Sequence, residues 1–325
     1  MAFFQQRKVA REASRGGRPS SVAPGDGVSI VAPASSAKIE VAQKGLQLLR
    51  DYGYQPHLGK NAFQKGPLYF AGSTAQRRDD LQAAFADEKS SFLMSLRGGY
   101  GSNYLLESLD LELIRRHPKP FFGYSDLTAL QLYLLDKISL PAFHGPMLAA
   151  DFAQPNGVHR ASFDAALQGK PYQLGAAEGL RRLRGGVAAQ PVRGTLYGGC
   201  LSIITAMLGT SYAPRTEGKL LFLEDVGVKP YQIDRMLWQM RQAGKFEGVR
   251  GIIFGEMPDC HSPGAHADLL EEVILSVFAD LDVPIVIGLR SGHVTQQNVT
   301  LTMGVEAELN FESGVQLKLL EAAVG

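Results

Sequence analysis

The chain has 325 residues, 45% of them hydrophobic and 20% charged, with 33 Lys+Arg against 32 Asp+Glu for a formal net charge of +1. That composition suits a folded globular protein and excludes wholesale disorder, and the balanced charge gives no global attraction for nucleic acid or an anionic membrane surface. Two cysteines, Cys200 and Cys260, exclude a disulfide scaffold and a four-cysteine zinc site, and no apolar run of roughly 18 residues marks a membrane span.

At roughly 150 residues per domain the length predicts two domains. Residues 1–26 are rich in Arg, Lys and small residues and lack the apolar core of a secretory signal, so they are expected to be a disordered leader of a cytoplasmic protein. The first strand is expected at Val28–Ala32, and Ser35 or Ser36 caps a helix running through Ile39, Leu46 and Leu49 that Gly53 stops. A short strand follows at Tyr54–Leu58, and a helix starts at Thr74 with Leu81, Ala84 and Phe85 on one face. Phe92–Leu96 reads as a strand, followed by the glycine-rich turn Arg97-Gly98-Gly99-Tyr100-Gly101. After a helical stretch to His117, Phe121–Tyr124 is strand-like and Leu127–Leu135 is an apolar helix. This alternation predicts an α/β layer with a mainly parallel sheet over residues 27–150.

Residues 151–195 read as a linker holding one helix, hairpin-like strand and a stretch of arginines between Gly175 and Gly186. The second domain is placed at 196–325. It has expected strands at Leu220–Leu223, Ile252–Phe254 and Ile285–Ile287, and helices at Leu201–Leu208, Tyr231–Gln242 and Asp268–Ala279. Alternation from Val299 to Leu319 predicts antiparallel strands.

Chemistry is suggested first at Gly123-Tyr124-Ser125-Asp126. A serine on a tight strand-to-helix turn presents its hydroxyl beside unpaired helix N–H groups, although the second glycine of G-x-S-x-G is missing. The same tetrapeptide also reads as a plain helix cap. A serine nucleophile needs a base and an orienting acid. His293, in a loop after an apolar strand, and His144, in Phe143-His144-Gly145-Pro146, are the leading bases among seven histidines. Glu224, paired with Asp225 at the end of Leu221-Phe222-Leu223, is the acid candidate, and the pair also reads as solvated loop carboxylates. The glycines of the 97–101 turn lack dinucleotide or phosphate-loop spacing but can offer an N–H to an oxyanion. Asp259, Cys260, His261 and His266 match no zinc spacing. Cys200 at a helix start is a weak nucleophile candidate, and Trp238 reads as helix packing.

Together, Val31-Ala32-Pro33-Ala34-Ser35, the 97–101 turn, Gly123–Asp126, His144-Gly145-Pro146-Met147, Gly198–Ser202, Leu223–Asp225 with Tyr231 and Asp234-Arg235, and Gly292-His293 resemble, in order and spacing, the LD-carboxypeptidase family of serine peptidases. That family also contains the microcin C immunity peptidases. The resemblance covers about Gly27 to Leu319. It implies an N-terminal, mainly parallel α/β sandwich and a C-terminal β-rich α+β domain. It implies a triad of Ser125, Glu224 and His293, with the backbone N–H groups of Asp126 and Gly99 as oxyanion donors, and no metal or cofactor. The implied substrate is cytoplasmic murein tetrapeptide, cut at its terminal D-alanine during cell-wall recycling by a homodimer. Tyr100-Gly101 after Arg-Gly-Gly resembles the murein branch more than the immunity branch, whose loop bears an asparagine, and Cys200 stands where relatives often carry asparagine. The alternatives are a serine amidase of the same fold acting on a peptidyl-nucleotide toxin, and a binding module without turnover.

Overall fold

Short β-branched runs separated by amphipathic stretches fold as strands joined by helices. The computed structural model describes residues 18–184, 190–312 and 314–325. In chain order the first part holds β1 (Gly27–Val31), α1 (Ile39–Asp51), β2 (Gln55–Leu58), α2 (Thr74–Ala86), β3 (Ser90–Ser95), α3 (Leu111–Arg116), β4 (Phe121–Gly123), α4 (Leu127–Ile138) and β5 (Ala142–His144). Next come α5 (Arg160–Gln168), β6 (Tyr172–Leu174), β7 (Arg181–Arg184), β8 (Val192–Cys200), α6 (Leu201–Ala206) and β9 (Lys219–Glu224). The remainder is α7 (Pro230–Gln242), β10 (Gly251–Gly255), α8 (Leu269–Val277), β11 (Ile285–Leu289), β12 (Leu301–Met303), β13 (Glu306–Asn310) and β14 (Gln316–Leu319).

Two sheets result. The first runs β12-β5-β4-β3-β1-β2. Its pairs are parallel except β12 with β5. A parallel sheet needs cover on both faces, and β1 is buried along its whole length. The second sheet runs β6-β14-β13-β8-β9-β10-β11-β7. Its centre, β8 to β11, is parallel and its flanks are antiparallel. The α/β class with a mainly parallel first sheet and a β-rich second part is therefore what the chain adopts.

Helix α4 joins the two layers. A helix apolar nearly all round has to be enclosed, and α4 is buried from Leu127 through Leu134. It packs on β5 of one sheet and on β8 and α6 of the other. Its one buried amide, Gln131, donates to the carbonyls of Gly123 at 3.0 Å and Phe143 at 3.1 Å, which fixes the ends of β4 and β5.

Two expected boundaries need correcting. The leader was expected to reach residue 26, but residues 18–26 pack onto the body. Val22 is buried and its N–H bonds the Leu167 carbonyl at 2.8 Å, while Gly25 N–H bonds Gly53 O at 2.8 Å. A single valine is too small a signal to read in sequence, yet it fills a core position. Residues 1–17 of the expected leader, and the end of the arginine stretch at 185–186, lie outside the described residues. The stretch 151–195 does more than link: Phe163, Leu167 and Leu174 enter the main core, and β6 and β7 form the two edges of the second sheet.

Candidate active site

The strand order of the first sheet reverses at β1, with β2 on one side and β3 on the other. Loops at the carboxyl ends of parallel strands diverge at such a point and leave a crevice. The loops after β1, β3, β4 and β5 bring Lys38, Arg97, Ser125 and Met147 to the wall of one cleft of about 370 Å³. Gly98 and Gly99 form part of the same wall, and His293 reaches it from the loop after β11.

Ser125 has φ +62°, a left-handed conformation uncommon outside glycine and a mark of a strained, functional turn. The turn is held from both sides. Leu127 N–H returns to Tyr124 O at 3.2 Å and Thr128 N–H to Ser125 O at 3.0 Å. The plain helix-cap reading does not hold, because the residue preceding α4 is Asp126, and its side chain makes no cap hydrogen bond. The Asp126 carboxylate instead accepts Ser102 N–H at 2.8 Å, and Ser102 Oγ donates to Asp126 O at 2.6 Å. Burial raises the Asp126 carboxyl above its ordinary range, against the pull of these donors and Arg77. Buried Arg77 donates to the carbonyls of Pro33 and Gly101, both at 2.6 Å, so the glycine turn is anchored from beneath.

Gly98 is where that turn approaches the serine. A Cβ there stands 3.0 Å from Ser125 Cβ and 3.2 Å from Ser125 Oγ. If Ser125 is the nucleophile, Gly98→Ala is expected to slow its acylation by about tenfold or more while moving the melting temperature little, because a displaced reacting group costs rate before it costs stability. Stopped-flow acylation beside a thermal melt checks this; unchanged acylation refutes the close approach.

Glu224 ends β9 and is fully buried. Its Oε2 lies 2.8 Å from His293 Nδ1 and accepts the His293 backbone N–H at 2.9 Å. Burial by itself pushes the Glu224 carboxyl up, but the hydrogen bonds and charge of His293, with His144 nearby, hold it below its usual value. Burial likewise disfavours charge on His293, yet Glu224, Asp225 and Asp151 raise its pKa above the ordinary value. Gly292 has φ +89°, and a Cβ there stands 2.6 Å from Glu224 Cδ, so only a glycine admits this contact. The Tyr124 ring lies edge-on to the His293 ring with centroids 5.1 Å apart.

The other candidates separate from this cleft. Asp225 accepts Ser202 N–H and Val226 N–H, both at 2.9 Å, which ties it to the start of α6. Cys200 is buried, and desolvation with the charges of Glu224 and Asp225 pushes its thiol well up, the wrong direction for a nucleophile. His144 is fully buried against Phe222, and burial pushes it down to about 4. Burial pushes Cys260 up to about 11, and among the described residues no group of three or more His, Cys, Asp or Glu side chains is arranged to hold a metal ion. Of the expected site residues, Ser125, His293 and Gly99 share the cleft, Glu224 lies behind His293, and Asp126 sits at the head of α4.

Two buried polar residues behind the His293 loop were not read from sequence. Asp151 and Asn298 are buried and bonded to each other at 3.0 Å. Neither lies in a motif, and they stand 147 positions apart.

Family models match residues 28–145 as an LD-carboxypeptidase N-terminal domain and residues 193–309 as an LD-carboxypeptidase C-terminal domain. A Bacillus subtilis protein named probable murein peptide carboxypeptidase is 33% identical over 311 residues, 94% of this chain and 95% of its own length. The murein tetrapeptide carboxypeptidase of Pseudomonas aeruginosa is 34% identical over 283 residues, 83% of this chain and 88% of its own. The crystal structure of an MccF-like protein from Bacillus anthracis superposes with a TM-score of 0.84 at 26% identity, covering 93% of this chain and 99% of the other.

Proposed function

The chain belongs to the LD-carboxypeptidase family and is a carboxypeptidase, and from that premise we propose that it removes the terminal D-alanine of murein tetrapeptide through an acyl-enzyme on Ser125. One observation carries the reading: a serine in a left-handed turn shares a cleft with a histidine whose Nδ1 is bonded to a buried carboxylate. With Nδ1–H donating to Glu224, the neutral ring keeps its lone pair on Nε2, where a general base needs it. His293 Nε2 takes the Ser125 proton as Oγ bonds to the carbonyl carbon. The negative oxygen is met by the N–H groups of Gly99 and Asp126, each typically worth about 3 kcal/mol of barrier. Collapse breaks the C–N bond, and the proton on His293 passes to the departing D-alanine nitrogen. Water, deprotonated by the same histidine, then hydrolyses the ester and restores the serine. Cytoplasmic cell-wall recycling and a homodimeric state are part of the same proposal and rest on the family resemblance. Among the described residues no helix is long and apolar enough to cross a membrane.

Mass spectrometry of murein tetrapeptide incubated with the protein should show loss of one alanine. Because His293 must be neutral to accept a proton and its pKa is raised, kcat/KM should fall about tenfold per pH unit on the acid side, with a midpoint above 6.5. An intact tetrapeptide refutes the substrate, and an acid limb below that value refutes the Glu224–His293 coupling.

A second reading, an amidase acting on a peptidyl-nucleotide toxin, is favoured by the likeness to the MccF-like structure. Competition between murein tetrapeptide and an aminoacyl-sulfamoyl adenylate separates the two: the reading holds for whichever is consumed. The murein names of the curated relatives, both above 30% identity, support the first.

A further inference from the structure

The geometry points to Asp151 and Asn298 as a clamp that sets the His293 loop against the Ser125 turn, which makes both of them positioning residues of the reaction. This inference rests on the triad reading above. Ser125 follows β4 of the first sheet, while His293 sits in the loop that crosses from β11 of the second sheet to β12 of the first, so the path of that loop decides where the histidine stands. Asn298 braces that loop. It is fully buried, and each of its polar groups is used. Its backbone N–H bonds Gly157 O at 2.8 Å, and its carbonyl accepts His159 N–H at 3.0 Å. Its side-chain Oδ1 accepts Gly292 N–H at 3.1 Å, while Nδ2 donates to Gly292 O and to Asp151 Oδ1, both at 3.0 Å. The residue after Gly292 is His293.

On the other side, Asp151 Oδ2 accepts Met147 N–H at 2.9 Å, just beyond β5. Met147 lines the cleft together with Tyr124 and Ser125. A hydrogen-bonded path therefore runs from Met147, on the cleft wall beside Ser125, through Asp151, Asn298 and Gly292 to the residue before His293. A second contact joins the two sides directly: the ring of Tyr124, the residue before Ser125, stands edge-on to the His293 ring with centroids 5.1 Å apart. Burial pushes the Asp151 carboxyl up to about 6, and the donors from Met147 and Asn298 act against that rise.

The chemistry at Asn298 is demanding. The site asks for one acceptor toward Gly292 N–H and two donors toward Gly292 O and Asp151, which is what a carboxamide offers. An aspartate of the same shape faces a carbonyl and a carboxylate with lone pairs only. A general base displaced by about 1 Å loses about 100-fold in rate, while substrate binding on the cleft walls is untouched.

The test uses the full chain with two readouts: tetrapeptide turnover, and labelling of Ser125 by a fluorophosphonate, which needs the base but not the peptide. Asn298→Asp is expected to lower kcat and the labelling rate in parallel, by ~100-fold, with KM within about threefold. Adding Asp151→Asn to Asn298→Asp restores the donor–acceptor pair between positions 151 and 298, and should recover at least about tenfold of both rates. If Asn298→Asp fails to fold by circular dichroism, Asp151→Asn alone decides, with a loss of about tenfold in kcat expected. Rates within about threefold of wild type in the folded Asn298→Asp protein, or a double variant no better than the single, overturn the clamp. If the wild type labels but leaves the peptide intact, the substrate proposal falls and the clamp is judged on labelling. If the wild type does not label, the triad and the clamp fall together.

Discussion

On the proposed triad, Ser125→Ala is expected to lower tetrapeptide turnover by at least about 10⁴-fold and to leave the fold in place. The size follows from what remains. Oxyanion donors and binding walls survive the change, so a residual rate above uncatalysed hydrolysis persists, but no acyl-enzyme forms. The stability expectation follows from the backbone. Alanine is as strained as serine at φ +62°, and what holds the turn are backbone hydrogen bonds from Leu127 and Thr128, which the side chain does not enter. Steady-state kinetics with a thermal melt checks both halves. Turnover within tenfold of wild type means that another nucleophile acts. A collapsed melting temperature means that the hydroxyl is structural.

Glu224→Gln is the second large effect, and the geometry fixes its character. Oε2 accepts two N–H groups of His293, one from the ring and one from the backbone. The backbone donor requires an oxygen there, so the glutamine turns its oxygen toward His293 and its NH₂ toward the position of Oε1, which has no hydrogen-bond partner among the described residues. The imidazole tautomer is therefore preserved and only the charge is lost. On the proposed mechanism, in which His293 becomes cationic in the transition state, that charge is worth about 4 kcal/mol at an effective dielectric near 20, or about 10³-fold in kcat. Glu224 also holds the His293 pKa up, so its loss moves the acid limb of the pH profile to lower pH. A pH–rate profile of the variant carries both readings. A loss of rate with an unmoved acid limb shows that Glu224 positions the ring without stabilising its charge.

Much of this arrangement was legible in the sequence because its signals are local. Leu221-Phe222-Leu223 ending in two carboxylates marks a buried strand meeting a polar task, and Ser125 stands between an apolar strand and an apolar helix. Apart from the family resemblance, which implies His293, the residues left His144 and His293 as rivals, since both follow apolar runs. What separates them is the direction of the ring, into the core for His144 and onto the cleft for His293. Strand β8 went unread because Gly194, Gly198 and Gly199 interrupt its apolar pattern. Asp151 and Asn298 had no signal at all, because a buried carboxylate and amide acquire meaning only from partners brought together by the fold.

The pairing of β12 with β5 bears on how the enzyme comes into being. Residues 301–303 close the edge of a sheet whose other strands all lie before residue 145. Until a ribosome has made nearly the whole chain, β5 is an open edge of buried residues, the kind of edge that invites association with other chains. His293 and Asn298 emerge just ahead of β12. The segment that shields the nascent edge and the histidine that lines the cleft therefore arrive together, so on the proposed triad a chain released before them would hold Ser125 without its base.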